Sequence, residues 1–242
     1  MALKLTRLAS DGKWYISTTN AFHGKSMGAL SVGGKAKYRE PYIPMIQQVQ
    51  HVEYGDAEAA KKAIKNLQYV GEKVAAVIVE PVQGEAGVIV PPRGYLKELR
   101  NICDRYGVFL IFDEIQTGMG RTGSVFRCEA EGVVPDILIY GKAFGGGIMP
   151  ITGIIARPNL WTEKLVENPW ILGSPTFGGN PVCCAAALAT INYMLKYNIP
   201  VKAKEKGVYI LKKLRKMQER HPVLADVRGV GLLIGLEFPT TE

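Results

Sequence analysis

"VAAVIVEPVQGEAGVIVPPRGYLKELRNICDRYGVFLIFDE", residues 74–114, contains two apolar runs, 74–79 and 108–112, on either side of a helical pattern. Neither run alternates polar with apolar residues, so each predicts a strand that is buried on both faces. Between the runs, an apolar stripe at helical spacing is formed by Leu96, Leu99, Cys103 and Tyr106. The predicted helix ends at Gly107, a residue type that is common just past helix ends. A helix that joins two such strands indicates a parallel sheet with helices on both faces.

The same alternation of strands and helices continues on both sides of this unit. "ILIY" (137–140) predicts a third buried strand. "DAEAAKKAIKNL" (56–67) predicts a helix with Asp56 as its N-cap, and "NPVCCAAALATINYMLK" (180–196) predicts another, with Asn180 as its N-cap and proline at its first position. The chain is therefore predicted to have an α/β fold with a mostly parallel sheet covered by helices.

The last part of the chain has a different pattern. Residues 202–221 are strongly basic and predict an amphipathic helix. Its apolar positions recur every three residues, at Val208, Leu211, Leu214 and Met217. "VRGVGLLIGLEF" (227–238) alternates apolar with other residues and predicts a single strand. We therefore predict a large domain over residues 1–197 and an incomplete α+β small domain over residues 198–242.

The composition limits the classes of protein to which the chain can belong. Of 242 residues, 47% are hydrophobic, and no uninterrupted apolar stretch reaches the roughly 20 residues that cross a bilayer. The first ten residues include Lys4 and Arg7 and do not resemble a signal peptide. The four cysteines have neither the pattern of a disulfide framework nor zinc spacing. These features predict a cytoplasmic protein without a metal site and without a membrane partner.

The net charge of +8 does not predict a nucleic-acid partner. Much of the charge lies in the basic helix over 202–221, where we interpret it as a solvated face. The chain shows no zinc-finger spacing, no aromatic RNA-binding signature and no basic-zipper heptads. Nucleic-acid binding is therefore the weaker interpretation of this helix.

Polar and charged residues follow all three predicted strands. They are Glu80, Gln83 and Glu85 after the first strand, Asp113, Glu114 and Gln116 after the second, and Lys142 after the third. Because ligands bind at the carboxyl ends of the strands in parallel α/β sheets, we expect these groups to meet at one site. A single charge at a strand end is more often a surface residue, but three consecutive strands with this feature favour a functional site.

Two short motifs suggest nucleotide binding, and both fit poorly. "GMGRTG" (118–123) matches G-x-G-x-x-G, but it does not lie directly between a strand and a helix, as a dinucleotide site requires. "FHGKS" (22–26) contains the Gly-Lys-Ser of a phosphate-binding loop, yet Thr19 stands where that loop needs glycine. The bulky Phe22 and His23 would also crowd a backbone that wraps phosphates. A P-loop NTPase is therefore the weakest of the functions considered.

The lysine that follows the third strand allows a specific chemistry. Burial disfavours the charged form of an amine, and a neutral amine is a nucleophile that forms a Schiff base with an aldehyde. Pyridoxal 5′-phosphate (PLP) is the cofactor that uses this reaction, and it also requires a carboxylate at its pyridine nitrogen. We therefore expect Lys142 at a desolvated PLP site, with Asp113, one strand away, beside the ring nitrogen.

Five motifs, in order along the chain, resemble those of the class III aminotransferases of fold type I. They are "AFHGKSMGALS", "EPVQGEAGVIVPP", "FDEIQTGMGRTG", "PDILIYGKAFGGG" and "TFGGNPVCCAAALATI". The resemblance extends over essentially the whole chain. Within this family the sequences of the motifs most resemble those of putrescine aminotransferases, which are relatives of the ornithine, acetylornithine and 4-aminobutyrate enzymes.

The resemblance implies roles for individual residues around the cofactor. Lys142 corresponds to the Schiff-base lysine and Asp113 to the partner of the pyridinium nitrogen. Gln116 corresponds to the residue beside the phenolic oxygen of the ring. Phe22 corresponds to the aromatic residue that stacks on the ring, and His23, its neighbour in the same motif, is also predicted to bind the cofactor.

Further roles concern the substrate and a second subunit. Glu85, in "QGE", corresponds to a carboxylate on the substrate side, and Glu80 is predicted to act there as well. Thr176, in "TFGGNP", corresponds to a threonine that binds the cofactor phosphate of the neighbouring subunit. The resemblance therefore implies a homodimer whose cofactor site is shared across the interface.

The resemblance also predicts the reaction and the extent of the chain. The family has a Gly-Ser/Thr-Glu phosphate loop just before the helix that "MALKLTRLA" (1–9) continues, so we expect an internal fragment of an aminotransferase. The predicted reaction transfers an amino group from a diamine, putrescine in the first place, to 2-oxoglutarate. The alternatives are 4-aminobutyrate, acetylornithine or ornithine as the donor, or a catalytically silent fragment that binds PLP.

Overall fold

A six-stranded sheet forms the centre of the computed structural model, which describes residues 1–239. Its strands are β1 (Trp14–Thr18), β2 (Val49–Val52), β3 (Val74–Val79), β4 (Phe109–Asp113), β5 (Ile137–Tyr140) and β6 (Gly153–Ala156). Their order across the sheet is β2-β1-β3-β4-β5-β6. The first five strands are parallel, and β6 runs antiparallel to β5. The mostly parallel sheet is therefore confirmed.

Helices connect the strands and cover the sheet. The α-helices of the described residues are α1 (Ala2–Ser10), α2 (Met27–Val32), α3 (Ala36–Arg39), α4 (Ala57–Tyr69), α5 (Tyr95–Tyr106), α6 (Arg127–Glu131), α7 (Glu163–Glu167), α8 (Pro181–Lys196) and α9 (Ile199–Gln218). Among residues 1–239, none of these helices combines the length and the apolar composition needed to cross a membrane.

The predicted starts of two helices are confirmed by side-chain hydrogen bonds. The Asp56 carboxylate accepts a hydrogen bond from the backbone N–H of Ala59 at the beginning of α4, at 2.9 Å. The Asn180 side-chain oxygen accepts from the backbone N–H of Val182, at 3.0 Å, at the beginning of α8. Such caps satisfy N–H groups that have no partner within the helix, and each contributes roughly 1 kcal/mol.

The strands are buried on both faces because a separate apolar cluster lies on each side of the sheet. On one side, Val77 of β3 and Leu110 of β4 belong to a cluster that contains the buried faces of α4 and α5. On the other side, Ile78 and Ile111 lie in a cluster with residues of α1 and of the segment 160–172. Successive residues of a strand point to opposite faces, so continuous apolar runs fill both clusters.

The predicted inward face of α5 is largely confirmed. Leu96 is 1% exposed, and Leu99 and Cys103 are fully buried, while Tyr106 is only half-buried at the last turn. Burial of one leucine side chain contributes about 1.5–3 kcal/mol, so this stripe fixes α5 on the sheet.

The predicted apolar stripe of the basic helix was partly wrong. Leu211 is buried and Leu214 half-buried, but Val208 and Met217 are 64% and 50% exposed. The buried positions of α9 are Ala203, Gly207 and Leu211, which are four residues apart. A strict spacing of three drifts around a helix of 3.6 residues per turn, so it leaves the buried face after two or three steps. The lysines of α9 are exposed, in agreement with the predicted solvated face.

The alternating segment near the end of the chain is a hairpin, and the single predicted strand was wrong. Strands β7 (Asp226–Val230) and β8 (Leu233–Glu237) pair antiparallel and form a separate two-stranded sheet. Gly231, with a φ of 58°, reverses the chain between them, in a conformation that favours glycine. We call residues 226–237 the C-terminal hairpin. Residues 240–242 of the predicted small domain lie outside the described residues.

The C-terminal hairpin docks on the loop that contains "GMGRTG". The backbone N–H of Leu232 donates to the carbonyl oxygen of Arg121 at 2.9 Å. A Cβ atom on Gly231 would lie 2.6 Å from that same oxygen, and a Cβ atom on Gly207 of α9 would overlap the carbonyl of Gly231. The glycine motif over 118–123 therefore forms a surface on which the hairpin packs.

Candidate active site

Strands β3, β4 and β5, which are neighbours in the sheet, end beside one cavity of about 140 Å³. Its lining consists of groups from the carboxyl ends of the strands and from the loop after β1: Phe22, His23, Gly24, Glu80, Asp113, Ile115, Gln116 and Lys142. Six of the eight predicted site residues are among them. The structure thus places the predicted lysine, the aspartate, the glutamine and the aromatic residue at one site.

Asp113 ends β4 and is held by two hydrogen bonds. Its Oδ2 atom lies 2.9 Å from Nδ1 of His23, and its Oδ1 atom accepts from the backbone N–H of Ile115 at 3.1 Å. The ionised carboxylate only accepts, so the Nδ1–H group of His23 is the donor. This arrangement fixes the orientation of the Asp113 carboxylate at the base of the cavity.

His23 is almost completely enclosed, and its charge state depends on its neighbours. The side chain is 2% exposed, and Nε2 has no hydrogen-bond partner among the described residues. Burial by itself lowers the pKa of His23, but the hydrogen bond that His23 donates to Asp113 and the negative charges of Asp113 and Glu80 outweigh it, so the pKa is raised. His23 is therefore one group of the cavity through which the stability of the fold responds to pH.

Glu80, the first residue after β3, connects two loops at the cavity. Its Oε1 atom accepts from the backbone N–H of Phe22 at 2.9 Å, and its Oε2 atom accepts from that of Gly84 at 3.0 Å. Burial raises the pKa of Glu80, although the charge of His23 and the two backbone hydrogen bonds oppose this. Tyr54, which the sequence did not single out, donates to the backbone oxygen of Glu80 at 3.0 Å.

Gln116 packs directly against the backbone of Gly84. A Cβ atom at residue 84 would lie 2.6 Å from the Oε1 atom of Gln116, so only glycine fits there without displacing the amide. The motif "QGE" in the sequence contains this signal, because a glycine between two polar residues at a strand end indicates a close approach. The position of Gln116 therefore depends on the loop that follows β3.

Lys142 lies in a short 3₁₀ turn, Lys142–Gly145, directly after β5. Its φ of 48° falls in the left-handed region, which is uncommon for a residue other than glycine and costs on the order of 1–3 kcal/mol. The expected desolvation was wrong for this single chain, in which Lys142 is exposed. The reason is local, since the last two residues of β5 are only half-buried.

Two predicted site residues, Glu85 and Thr176, do not line the cavity. Both are exposed, and the backbone oxygen of Glu85 accepts a hydrogen bond from Lys35. Two other residues at the strand ends also point elsewhere: Gln83 donates to Thr19 at 2.8 Å, and Glu114 accepts from the backbone N–H of Cys128 at 2.7 Å and so stabilises the start of α6.

A second cavity, of about 430 Å³, adjoins the first at Lys142 and Gln116. Its other walls are the loop over 118–121, the beginning of α9 and the C-terminal hairpin, through Leu232, Leu233 and Ile234. The hairpin therefore contributes to the space beside the candidate lysine, a role that the sequence did not indicate.

The family of this chain follows from its match to a protein-family model. The family model "Aminotransferase class-III" matches residues 1–242. The chain belongs to the class III aminotransferases. This family uses PLP as its cofactor, in agreement with the prediction.

Solved structures of several aminotransferases are similar to this chain over almost all of its length. An ornithine aminotransferase from Toxoplasma gondii has 33% identity and a TM-score of 0.90, with 98% of this chain and 56% of that chain covered. An (S)-enantioselective ω-transaminase from Thermomicrobium roseum has 31% identity and a TM-score of 0.90, with 98% and 57% covered. A taurine:2-oxoglutarate aminotransferase from Bifidobacterium kashiwanohense has 26% identity and a TM-score of 0.89, with 98% and 57% covered. This aminotransferase chain thus spans less than two thirds of the length of these relatives.

The residues that line the first cavity fit the ring of PLP. Lys142 supplies an amine that suits the aldehyde, and Asp113, oriented by His23, supplies a carboxylate that suits the pyridine nitrogen. Gln116 supplies an amide that suits the phenolic oxygen, and Phe22 supplies an aromatic ring that suits the face of the pyridine ring. Lys142 is the only lysine or arginine in the lining of that cavity within residues 1–239.

The stability of this aminotransferase chain is expected to depend on pH through His23. A raised pKa means that the charged His23–Asp113 pair stabilises the fold fully below the unfolded value of 6.5, and that this contribution is lost as the pH rises through the folded pKa. His23→Gln should therefore lower the free energy of unfolding by roughly 1–3 kcal/mol at about pH 6, and by less at about pH 9. Urea unfolding at both pH values measures the difference, with His221→Gln as the exposed control. An equal loss at the two pH values would contradict the charged pair.

Proposed function

We propose that this chain is the cofactor-binding part of a PLP-dependent transaminase that moves an amino group from a diamine or an ω-amino acid to 2-oxoglutarate. One observation supports it most directly: Lys142, Asp113, Gln116 and Phe22, which come from three separate motifs, line one cavity. A set of unrelated surface residues would have no reason to converge there.

In the proposed reaction, Lys142 transfers the proton. Bound PLP supplies an electron sink for the negative charge that develops at the carbon bearing the amino group. The Nζ atom of Lys142 would remove a proton from that carbon as a general base and would then give it up as a general acid. The second half of the reaction uses the same transfers in reverse, with 2-oxoglutarate as the acceptor.

The other residues of the cavity hold the reacting groups in place. Asp113 keeps a proton on the ring nitrogen through its negative charge, and His23 holds the carboxylate in the orientation that this requires. Phe22 would provide an aromatic surface for the ring, and the amide of Gln116 would be the donor for its phenolic oxygen. Each of these groups acts by position or charge, so their effects should be smaller than that of Lys142.

The proposed donor is a diamine, putrescine in the first place. Of the two predicted substrate carboxylates, both oxygens of Glu80 accept backbone hydrogen bonds, so we give Glu80 a positioning role. Glu85 is exposed, and its carboxylate is the one we propose for the cationic end of the donor. An ω-amino acid such as 4-aminobutyrate, or ornithine or acetylornithine, is the alternative donor.

We also propose that the chain acts as a homodimer in the cytoplasm, with the large and small domains divided near residue 197. Thr176 is exposed and does not line the cavity of its own chain, which agrees with a role at the cofactor phosphate of a second subunit. Its neighbour Phe177 is 79% exposed, and apolar side chains of α8 such as Leu188 are also exposed, at 60%. Such a surface is typical of an interface.

A labelling experiment and a donor panel test the proposal together. The purified chain is incubated with PLP, reduced with borohydride and digested, and we expect the pyridoxyl group on Lys142. The chain is then assayed for glutamate formation from 2-oxoglutarate with putrescine, 4-aminobutyrate, ornithine or acetylornithine. Labelling without turnover would favour the catalytically silent alternative, and labelling of a different lysine would refute the site.

A further inference from the structure

The loop that follows β3 is held from outside the sheet by one arginine. Nε of Arg228, in the C-terminal hairpin, donates to the carbonyl oxygen of Gly87 at 2.8 Å. The two residues are 141 positions apart in the chain. A Cβ atom on Gly235 of the same hairpin would lie 2.7 Å from that oxygen, so the hairpin and the loop meet backbone to backbone.

The Arg228 guanidinium is itself fixed by two carboxylates. Nη1 lies 2.7 Å from Oδ2 of Asp226 and 2.5 Å from Oε2 of Glu237, one on each strand of the hairpin. The planar guanidinium presents its donors in a fixed fork, so these two contacts aim Nε at Gly87. Lysine has the same charge but cannot make the three contacts in this geometry.

A continuous path of hydrogen bonds leads from Arg228 to the candidate active site. The backbone N–H of Gly87 donates to the oxygen of Gly84 at 3.1 Å, and the N–H of Gly84 donates to Glu80 at 3.0 Å. Glu80 in turn accepts from the backbone N–H of Phe22 at 2.9 Å. Gly84 also packs against the amide of Gln116, so a shift of this loop reaches two groups that line the cavity.

We propose that Arg228 is a positioning residue of the candidate active site, which holds the loop over 80–88, and through it Gln116 and Phe22, against the cofactor. The proposal rests on the proposed function for its effect on PLP, but the contact itself can be tested without PLP. The hairpin also forms a wall of the second cavity beside Lys142, so the same residue fixes both the loop and that wall.

The test compares three variants of the full chain. Arg228→Met removes the contact with Gly87, whereas in Glu237→Gln the amide oxygen still accepts from Nη1 of Arg228, so the charge is lost but the direction of Nε is kept. Gly235→Ala leaves Arg228 intact and pushes the hairpin off Gly87, which keeps the test valid if Arg228→Met does not fold. Hydrogen exchange, followed by mass spectrometry, measures the loop, and a fluorescence titration measures PLP affinity.

We expect Arg228→Met and Gly235→Ala to speed amide exchange at Phe22 and in residues 80–88 by roughly tenfold, as for loss of a hydrogen bond to a charged group. PLP affinity should fall by about the same factor, and Glu237→Gln should change either quantity by less than about twofold. A merely structural role would speed exchange evenly over the hairpin and the sheet, and this result would overturn the proposal. Unchanged exchange in the loop would overturn it as well. Faster loop exchange in a chain that binds no PLP would uphold the contact and refute the proposed function.

Discussion

The Lys142→Ala variant is expected to lose covalent labelling by PLP and borohydride completely, and to lose transamination by at least about 10²- to 10⁴-fold. Alanine has no amine to react with the aldehyde and no group to move the proton. The φ of 48° at this position also indicates that the fold maintains an unfavourable backbone conformation there, as is common at functional sites. Peptide mapping after reduction measures the first effect, and glutamate formation measures the second.

The control for this variant is Lys65→Ala, which removes an exposed lysine of α4 that does not line the cavity. We expect it to be labelled at Lys142 like the original chain. Labelling of Lys142→Ala at the original level would show that another amine holds the cofactor. Alanine keeps the Cβ atom and therefore the backbone strain of the positive φ, so we expect the unfolding temperature to change little.

Asp113→Asn is expected to retain some PLP binding but to lower transamination by about 10²-fold or more, comparable to the removal of an electrostatic group at a reaction centre. Asparagine has nearly the same shape and still accepts the hydrogen bond from the N–H of Ile115, which is 3.1 Å from Oδ1. It has no negative charge, however, so it cannot keep the ring nitrogen protonated. Turnover and PLP affinity, measured on the same preparation, separate the two effects.

Asp104→Asn serves as the matched control, because Asp104 is an exposed partner of Arg100 on α5, away from the cavity. It should leave turnover and affinity unchanged. If Asp113→Asn turned over at a nearly normal rate, a different group would have to hold the proton at the ring nitrogen, and the assignment of Asp113 would be wrong.

The strands that could be predicted from the sequence are those that contain a continuous run of apolar residues. β3, β4 and β5 are neighbours inside the sheet and contain uninterrupted apolar runs, most of whose residues are buried. β1 contains Ser17 and Thr18, and β2 contains Gln50 and His51, so neither has such a run. Their place in the sheet depends on pairing with distant strands, which a local pattern does not encode.

The candidate site was predictable in part for a related reason. Asp113 ends β4, and Gln116 and Lys142 come within three residues of the ends of β4 and β5, so the parallel topology brings them together. The positioning contacts were not predictable, because Arg228 and Gly87 meet only when the hairpin folds back on the sheet. The hairpin was missed because alternation continues through the turn at Gly231, so a period of two cannot distinguish one strand from two.

The backbone contact between Gly207 and Gly231 has a consequence for the construction of chimeric proteins. Neither glycine leaves room for a methyl group, because each approaches main-chain atoms of another segment: Gly207 those of the hairpin, and Gly231 those of the loop at Arg121 and Thr122. A helix from a relative with alanine at position 207 would displace the hairpin from its contact with α9. A hairpin with alanine at position 231 would be displaced from the loop at Arg121 and Thr122. Segment exchange with other class III aminotransferases should therefore move α9 and the C-terminal hairpin as one cassette, with a crossover point before residue 199.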